Sequence, residues 1–454
     1  MKAASIYVVR CGALLIAVFA WLVPASAADE KLPNIVVIVA DDLGYNDVSY
    51  HGSEIATPNL DKLSGAGVRL EDYYVFATCS PTRTALLTGR NPSRWGIYGP
   101  IGGRSELAVP PETTTLADAL KSRGYATASV GKWHLGLRPE VGPRQYGFDS
   151  TYGYLHGQID PYTHLYKNGD RTWHRNDVFQ EETGHATDLL AAEAVKQIET
   201  PREQPLFLYV AFSVPHTPIE EEERWVKPYE SKIADPSRRL YAASVAHMDD
   251  AIGRIVAALQ RSGKFDNTLL VFTSDNGGQE NDPMNGTYGG KYKPFTTLGN
   301  NLPLRGWKGE LYEGGIRVPG FVTWPGKFQP REVHAPLSVL DWMPTLLGIV
   351  GVPVAADWKL EGQDIRRQLE GGSPAGPRTY YWSTGRTAAV REGDWKLIQP
   401  AGKNPKLELY NEATDPYEKT DQAAAHPEIV TKLAALLKEQ QALDPKTSGP
   451  KSKD

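Results

Sequence analysis

The chain has 454 residues, 41% hydrophobic, 10% aromatic and 23% charged, a mixture that excludes a disordered, collagen-like or coiled-coil protein. That length leaves room for one large α/β domain with a smaller partner. Its 49 Lys and Arg stand against 54 Asp and Glu, a net charge of −5, which excludes a generally basic nucleic-acid or membrane-surface binder.

Residues 1–27 read as an export signal: Lys2 and Arg10 are basic, 11–23 is apolar, and Ala25-Ser26-Ala27 offers small residues for cleavage. The apolar run is short for a bilayer span, so the mature form is expected to be periplasmic or secreted, without a membrane span and without nucleic acid as a partner. Cleavage removes two basic residues and Cys11, leaving Cys79 alone and no possible internal disulfide.

Five apolar runs bounded by turn residues follow, with helical patterns between them, as expected of a buried and mostly parallel sheet sandwiched by helices. Residues 34–40 run into Asp41-Asp42, 126–130 into Gly131-Lys132-Trp133-His134, 206–212 into Pro215-His216, and 268–273 into Asp275-Asn276-Gly277. Residues 318–324 form the fifth. Ligands of open α/β sheets bind beyond the carboxyl ends of the strands, so Asp41, Asp42, Lys132, His134, His216, Asp275 and Asn276 are expected to converge on one cleft. A single Asp-Asn-Gly is ordinary loop punctuation, whereas four polar strand ends together are not.

Helical patterns cover 115–123, 187–199 and 239–261, and the acidic run 220–223 reads as a solvated face. Residues 276–315, rich in Gly, Asn and Tyr, are too long for a simple connection and read as a wall of the pocket. The catalytic α/β domain is expected over 28–374 and a small C-terminal antiparallel subdomain over 375–445. Within the latter, short β-like pieces at 379–383, 388–391, 395–399 and 406–410 precede a helix over 426–443, and 446–454 reads as a disordered tail.

Residues 79–90 read C-S-P-T-R-T-A-L-L-T-G-R. Pro81 suits a first helical turn, so Cys79 is expected at or just before a helix N-terminus, where backbone N–H groups favour an anion. Arg83 returns to the same side one turn later and can pair with anionic oxygens. A thiol so placed is either a nucleophile or a buried inert residue.

C-S-P-T-R followed by L-T-G-R resembles the signature of the formylglycine-dependent sulfatases, within the alkaline-phosphatase-like superfamily. Asp41-Asp42, G-K-W-H-L-G at 131–136, His216, D-N-G at 275–277 and W-K-G at 307–309 follow that family's order, and the similarity runs from Pro33 to Leu443. The resemblance implies that Cys79 is oxidised to formylglycine by a maturation enzyme. It also implies that Asp41, Asp42, Asp275 and Asn276, with the modified Cys79, bind a divalent cation, usually Ca2+. Oxygen donors suit a hard cation independently.

By the same resemblance Arg83 and His134 hold the formylglycine hydroxyls, Lys132 and Lys308 contact sulfate, and His216 with Lys308 serves the leaving group. One diol hydroxyl attacks sulfur, Asp275 takes or shares its proton, and His134 deprotonates the other hydroxyl to expel sulfate.

Residues 147–166 and 301–315 resemble the corresponding stretches of arylsulfatase B, which acts on N-acetylgalactosamine 4-sulfate, and make a sulfated carbohydrate or aryl sulfate the expected substrate. His156, Asp160 and His164 are candidates for a sugar subsite, and Arg171, Arg175, Lys291 and Lys293 for a local basic funnel. A phosphonate or phosphate ester hydrolase of the same superfamily is the competing enzyme, and a noncatalytic binder of sulfated glycans the competing non-enzyme.

Overall fold

The structure is a computed structural model that describes residues 1, 4–5, 31–167, 169–374, 376 and 378–445. The expected leader, apart from residues 1, 4 and 5, and the expected tail over 446–454 lie outside the described residues. The chain divides into two units, Met1–Leu32 and Pro33–Asp454, and the second carries a ten-stranded, a four-stranded and a two-stranded sheet.

Asn34–Asp41 lies in the middle of a ten-stranded sheet, with every residue after Asn34 buried. It pairs in parallel with Leu206–Pro215 on one side and Thr268–Ser274 on the other. Ala126–Lys132 and then Ser150–Tyr154 extend the sheet in parallel beyond Leu206–Pro215. Strands covered on both faces need apolar side chains in both directions, which is why these segments read as unbroken runs. The fifth run forms Gly320–Thr323, which lies antiparallel to Thr268–Ser274. Composition carries the burial of a strand but not its direction.

Helices Ala186–Glu199 and Pro236–Arg261 bury Leu190, Ala194, Ile198, Val245, Ile252 and Ile255 against Val36, Ile38 and Leu208 of the sheet. Asp235 caps the long helix, its carboxylate accepting from the Arg238 amide at 2.8 Å. Gly131, at φ +105° near the carboxyl end of Ala126–Lys132, lets that strand approach Leu206–Pro215 closely, because a Cβ there would lie 1.8 Å from the Ala211 carbonyl oxygen.

The second sheet is antiparallel and contains Thr379–Ser383, Ala388–Glu392, Trp395–Gln399 and Glu408–Asn411. Leu433 and Leu437 of helix Pro427–Gln441 close its core. The Trp382 indole donates to the Val75 carbonyl at 2.9 Å, and fully buried Lys396 bridges Glu313 and Glu418 at 2.8 Å each. These contacts seat the second sheet beside the segment that leads into Cys79. Among the described residues no helix is long and apolar enough to cross a membrane.

Candidate functional site

The carboxyl ends of the central strands deliver their polar residues to one place. Two of these residues, Asp42 at φ 69° and His134 at φ 60°, hold left-handed backbone conformations, which cost a non-glycine residue about 1–3 kcal/mol and cluster at functional sites. Asp41 accepts from the Lys132 ammonium at 2.6 Å, and Asp42 from the Lys308 ammonium at 2.7 Å and the Asn276 amide at 2.8 Å. Asp275 takes the Arg83 fork on one oxygen, from Nε at 3.0 Å and Nη2 at 2.7 Å, and the Asp42 backbone N–H on the other at 3.2 Å. Asp41, Asp42, Lys132, Arg83, Asp275 and Asn276 are all buried.

Burying three carboxylates together sets the electrostatics. Desolvation pushes Asp41 up to about 8 against the pull of Lys132, with Asp275 adding to the rise. Burial alone would also raise Asp42, but Lys308 and His216 outweigh it and hold that carboxyl below its ordinary range. Burial and the neighbouring Lys308 push His216 down to about 3. Asp41 Oδ1 and Asn276 Oδ1 are buried with no hydrogen-bond partner. Unsatisfied oxygens between carboxylates at the edge of a sheet fit a hard, oxygen-seeking cation, and Asp41, Asp42, Asp275 and Asn276 could hold one.

Cys79 opens helix Cys79–Thr88, as its sequence context predicts, with Thr78 at the N-cap position. Its thiol is 1% exposed and is pushed up by burial, with Lys132 and Lys308 pulling the other way. It lines a cleft of about 360 Å³ shared with His134, His216 and Lys308. His134 Nε2 lies 2.9 Å from the Ile101 carbonyl, which makes it the protonated nitrogen and leaves Nδ1 an acceptor without a partner. His216 Nδ1 contacts the Thr217 carbonyl, so its Nε2, 3.7 Å from Asp42 Oδ2, is the free nitrogen. Arg83, expected at the formylglycine hydroxyls, has its fork on Asp275 and its remaining nitrogen near the Lys132 carbonyl and the Tyr209 hydroxyl, at 3.3 and 3.4 Å.

The three sugar-subsite candidates hold the loop together and do not line this cleft. His156 Nδ1 bonds the Thr172 hydroxyl at 2.8 Å, and its ring stacks on Tyr166. Asp160 receives the amides of Tyr162 and Thr163 and the side chains of Lys291 and Tyr292. His164 is 2% exposed, with Nε2 on the Gly184 carbonyl and its ring stacked on Trp173. Gln158, Lys167, Gln279 and Asp282 line the cleft instead, and only their place in the long Gly-Asn-Tyr wall or beside His156 hints at this in the sequence. The acidic run is not wholly a solvated face, because the Glu221 side chain is 1% exposed and bonds His247 at 2.8 Å.

A family description called Sulfatase matches residues 33–352, and one called N-sulphoglucosamine sulphohydrolase, C-terminal, matches residues 306–443. The chain belongs to the sulfatase family. This sulfatase is 33% identical to Arylsulfatase J of Mus musculus over 91% of its own length and 76% of that protein's. It is 30% identical to the N-acetylgalactosamine-6-O-sulfatase of Bacteroides thetaiotaomicron over 90% and 93% of the two chains. The crystal structure of Ps i-CgsB in complex with k-i-k-neocarrahexaose superimposes with a TM-score of 0.83 and 29% identity, covering 93% of this sulfatase and 96% of that chain. As a member of this family, it is a sulfuric ester hydrolase built on the alkaline-phosphatase-like fold. Three relatives named for a position on N-acetylgalactosamine, from Bacteroides thetaiotaomicron, Rattus norvegicus and Mus musculus, are 6-sulfatases, so the 4-sulfate expectation finds no support in them.

Proposed function

We propose that this sulfatase is an exported enzyme that removes sulfate from sulfated carbohydrates through a formylglycine made from Cys79, with Ca2+ at Asp41, Asp42, Asp275 and Asn276. The observation that carries the reading is the single cleft in which Cys79, His134, His216 and Lys308 meet, floored by buried oxygens two of which lack partners. Matured and hydrated, Cys79 would supply a diol oxygen as nucleophile, and the cation at the four oxygen donors would draw charge from the ester's sulfate oxygens.

The remaining roles belong to the chain's own side chains. Lys132 and Lys308 bring two ammonium groups to the place where negative charge develops, a stabilisation that costs no reorganisation because both are already anchored on carboxylates. His134, with its Nδ1 lone pair unused, can accept a proton from a hydroxyl at position 79. Lys308 flanks the leaving oxygen and can hand it a proton, while His216, with its Nδ1–H on the Thr217 carbonyl, offers Nε2 beside it as a hydrogen-bond acceptor. Arg83 orients Asp275 through its two-pronged contact. Maturation calls for a formylglycine-generating partner acting on the C-S-P-T-R segment, and the basic-then-apolar leader supplies the route for export. The carbohydrate assignment is supported by the glycan substrates in the names of relatives and structural neighbours.

The test is hydrolysis of matched aryl sulfate and aryl phosphate by matured protein, with added calcium and with a chelator. Calcium-dependent preference for the sulfate is expected. Preference for the phosphate supports a phosphate or phosphonate ester hydrolase. No turnover of either, with retained binding of a sulfated glycan, supports a noncatalytic binder.

A further inference from the structure

The cleft at Cys79 does not end at Lys308. A second cavity of about 450 Å³ begins there, sharing Gln279 and Lys308 with the first and lined by Thr78, Trp307, Glu280 and Glu310. The two residues held in common stand between two lobes, each of a size ordinary for a small-molecule site. A site built for a terminal sulfated sugar needs one lobe. Two lobes on either side of the sulfate-contacting Lys308 leave a path for a chain to enter on one side and leave on the other.

The lobes differ in chemistry. In the second, half-buried Trp307 has neither a ring partner nor a cation over its face among the described residues, and its backbone N–H donates to Glu310 Oε2 at 3.0 Å. An open indole face beside polar groups is a stacking platform for a pyranose ring. Glu280 and Glu310 have no ion-pair partner among the described residues, so this lobe disfavours an anionic substituent. In the first lobe Lys167 likewise has no carboxylate within ion-pair distance among the described residues.

Asp282, in the same lobe, is satisfied by the Thr217 hydroxyl and the Met284 amide. Two of the cations expected to form a basic funnel are neutralised, Arg175 by Glu193 and Lys291 by Asp160 and Glu220. Lys167 is therefore the cation that the first lobe offers to a substrate beyond the scissile sulfate.

We propose that the cleft takes an internal sulfated residue of an oligosaccharide, with an uncharged flanking sugar stacked on Trp307 and an anionic group of the opposite flank held by Lys167. The proposal rests on the reading of the Cys79 cleft as the desulfating site. Matured enzyme is given a defined sulfated hexasaccharide and an aryl sulfate, and the order of sulfate loss along the hexasaccharide is followed by mass spectrometry. Internal sulfates are expected to leave before terminal ones.

Trp307→Ala should lower kcat/KM on the hexasaccharide relative to the aryl sulfate by roughly tenfold, and Lys167→Met should raise KM more than it lowers kcat. Calorimetry on Cys79→Ser protein should show the same loss of hexasaccharide affinity without any turnover. Loss confined to terminal sulfates, or a Trp307→Ala ratio and affinity equal to wild type, overturns the two-sided groove. Failure to release sulfate from any ester, the aryl sulfate included, overturns the desulfating reading itself.

Discussion

Replacing Arg83 by Leu isolates the contact on which the site's geometry rests. Both Arg83 and Asp275 are fully buried, and the guanidinium places Nε and Nη2 on one carboxylate oxygen at 3.0 and 2.7 Å. Removing one partner of a buried, hydrogen-bonded pair leaves the other charge uncompensated, at a cost of about 3–5 kcal/mol. For a unit the size of Pro33–Asp454, an unfolding entropy of roughly 2.1 cal/mol/K per residue converts that loss to a Tm fall of roughly 3–6 °C.

The assay is thermal and urea unfolding of wild type, Arg83→Leu, Asp275→Asn and the double variant in chelator. The double variant should be less destabilised than the sum of the singles, with a coupling of about 2–3 kcal/mol. Excess calcium should restore part of the Arg83→Leu loss, about 2.7 kcal/mol at one hundred times Kd, because a bound cation also compensates Asp275. Additive single-variant effects, or a neutral Arg83→Leu, would refute the reasoning.

Three further outcomes are expected. Cys79→Ala should abolish sulfate release while unfolding within about 1 kcal/mol of wild type, since it removes a small group at the head of a helix; calorimetry and an aryl sulfate assay check this. Lys308→Ala should lower kcat by about 10²–10³-fold in steady-state kinetics, and in chelator it should also lower the unfolding midpoint, because it leaves buried Asp42 without the ammonium that compensates it.

The third concerns His247, which packs against Trp225 and His185 and contacts Glu221 and Asp188, the latter also bound by Arg254. Burial opposes its charge, but the two carboxylates outweigh burial and raise its pKa above the ordinary histidine value. A raised folded pKa stabilises fully below about pH 6.5 and loses that contribution as pH climbs through the folded value. The urea midpoint of Glu221→Gln should therefore fall further below wild type at pH 5.5 than at pH 9, and an equal gap at both would contradict the ion pair.

Much of the site was legible because most of its cation-site and lysine–histidine residues sit at the ends of apolar runs, and Cys79 with Arg83 stands in a recognisable segment at the head of a helix. Asp41-Asp42, Lys132, His216 and Asp275-Asn276 are announced by the strands that carry them, and the parallel pairing of those strands brings the ends together. The direction of Gly320–Thr323 was not legible, since a buried strand reads alike in either sense. His156, Asp160 and His164 look like sugar contacts in the sequence because polar and aromatic residues alternate there. Their partners Thr172, Lys291, Gly184 and Trp173 are known only once the loop is folded. Glu221 is hidden in the same way, since an acidic run on paper shows no sign of the histidine on helix Pro236–Arg261 that buries one of its members. Lys167 has no spacing that marks it, and Trp307 is marked only as the neighbour of Lys308 in W-K-G; their significance comes from which cavities they line.

The most direct test of the central claim is to measure, by peptide mass spectrometry across preparations matured to different extents, the fraction of position 79 converted from thiol to aldehyde, and to set it against sulfate release per mole of protein. The account predicts proportionality through the origin, with no release from protein whose Cys79 is wholly thiol. Undiminished release from the unconverted thiol would contradict it.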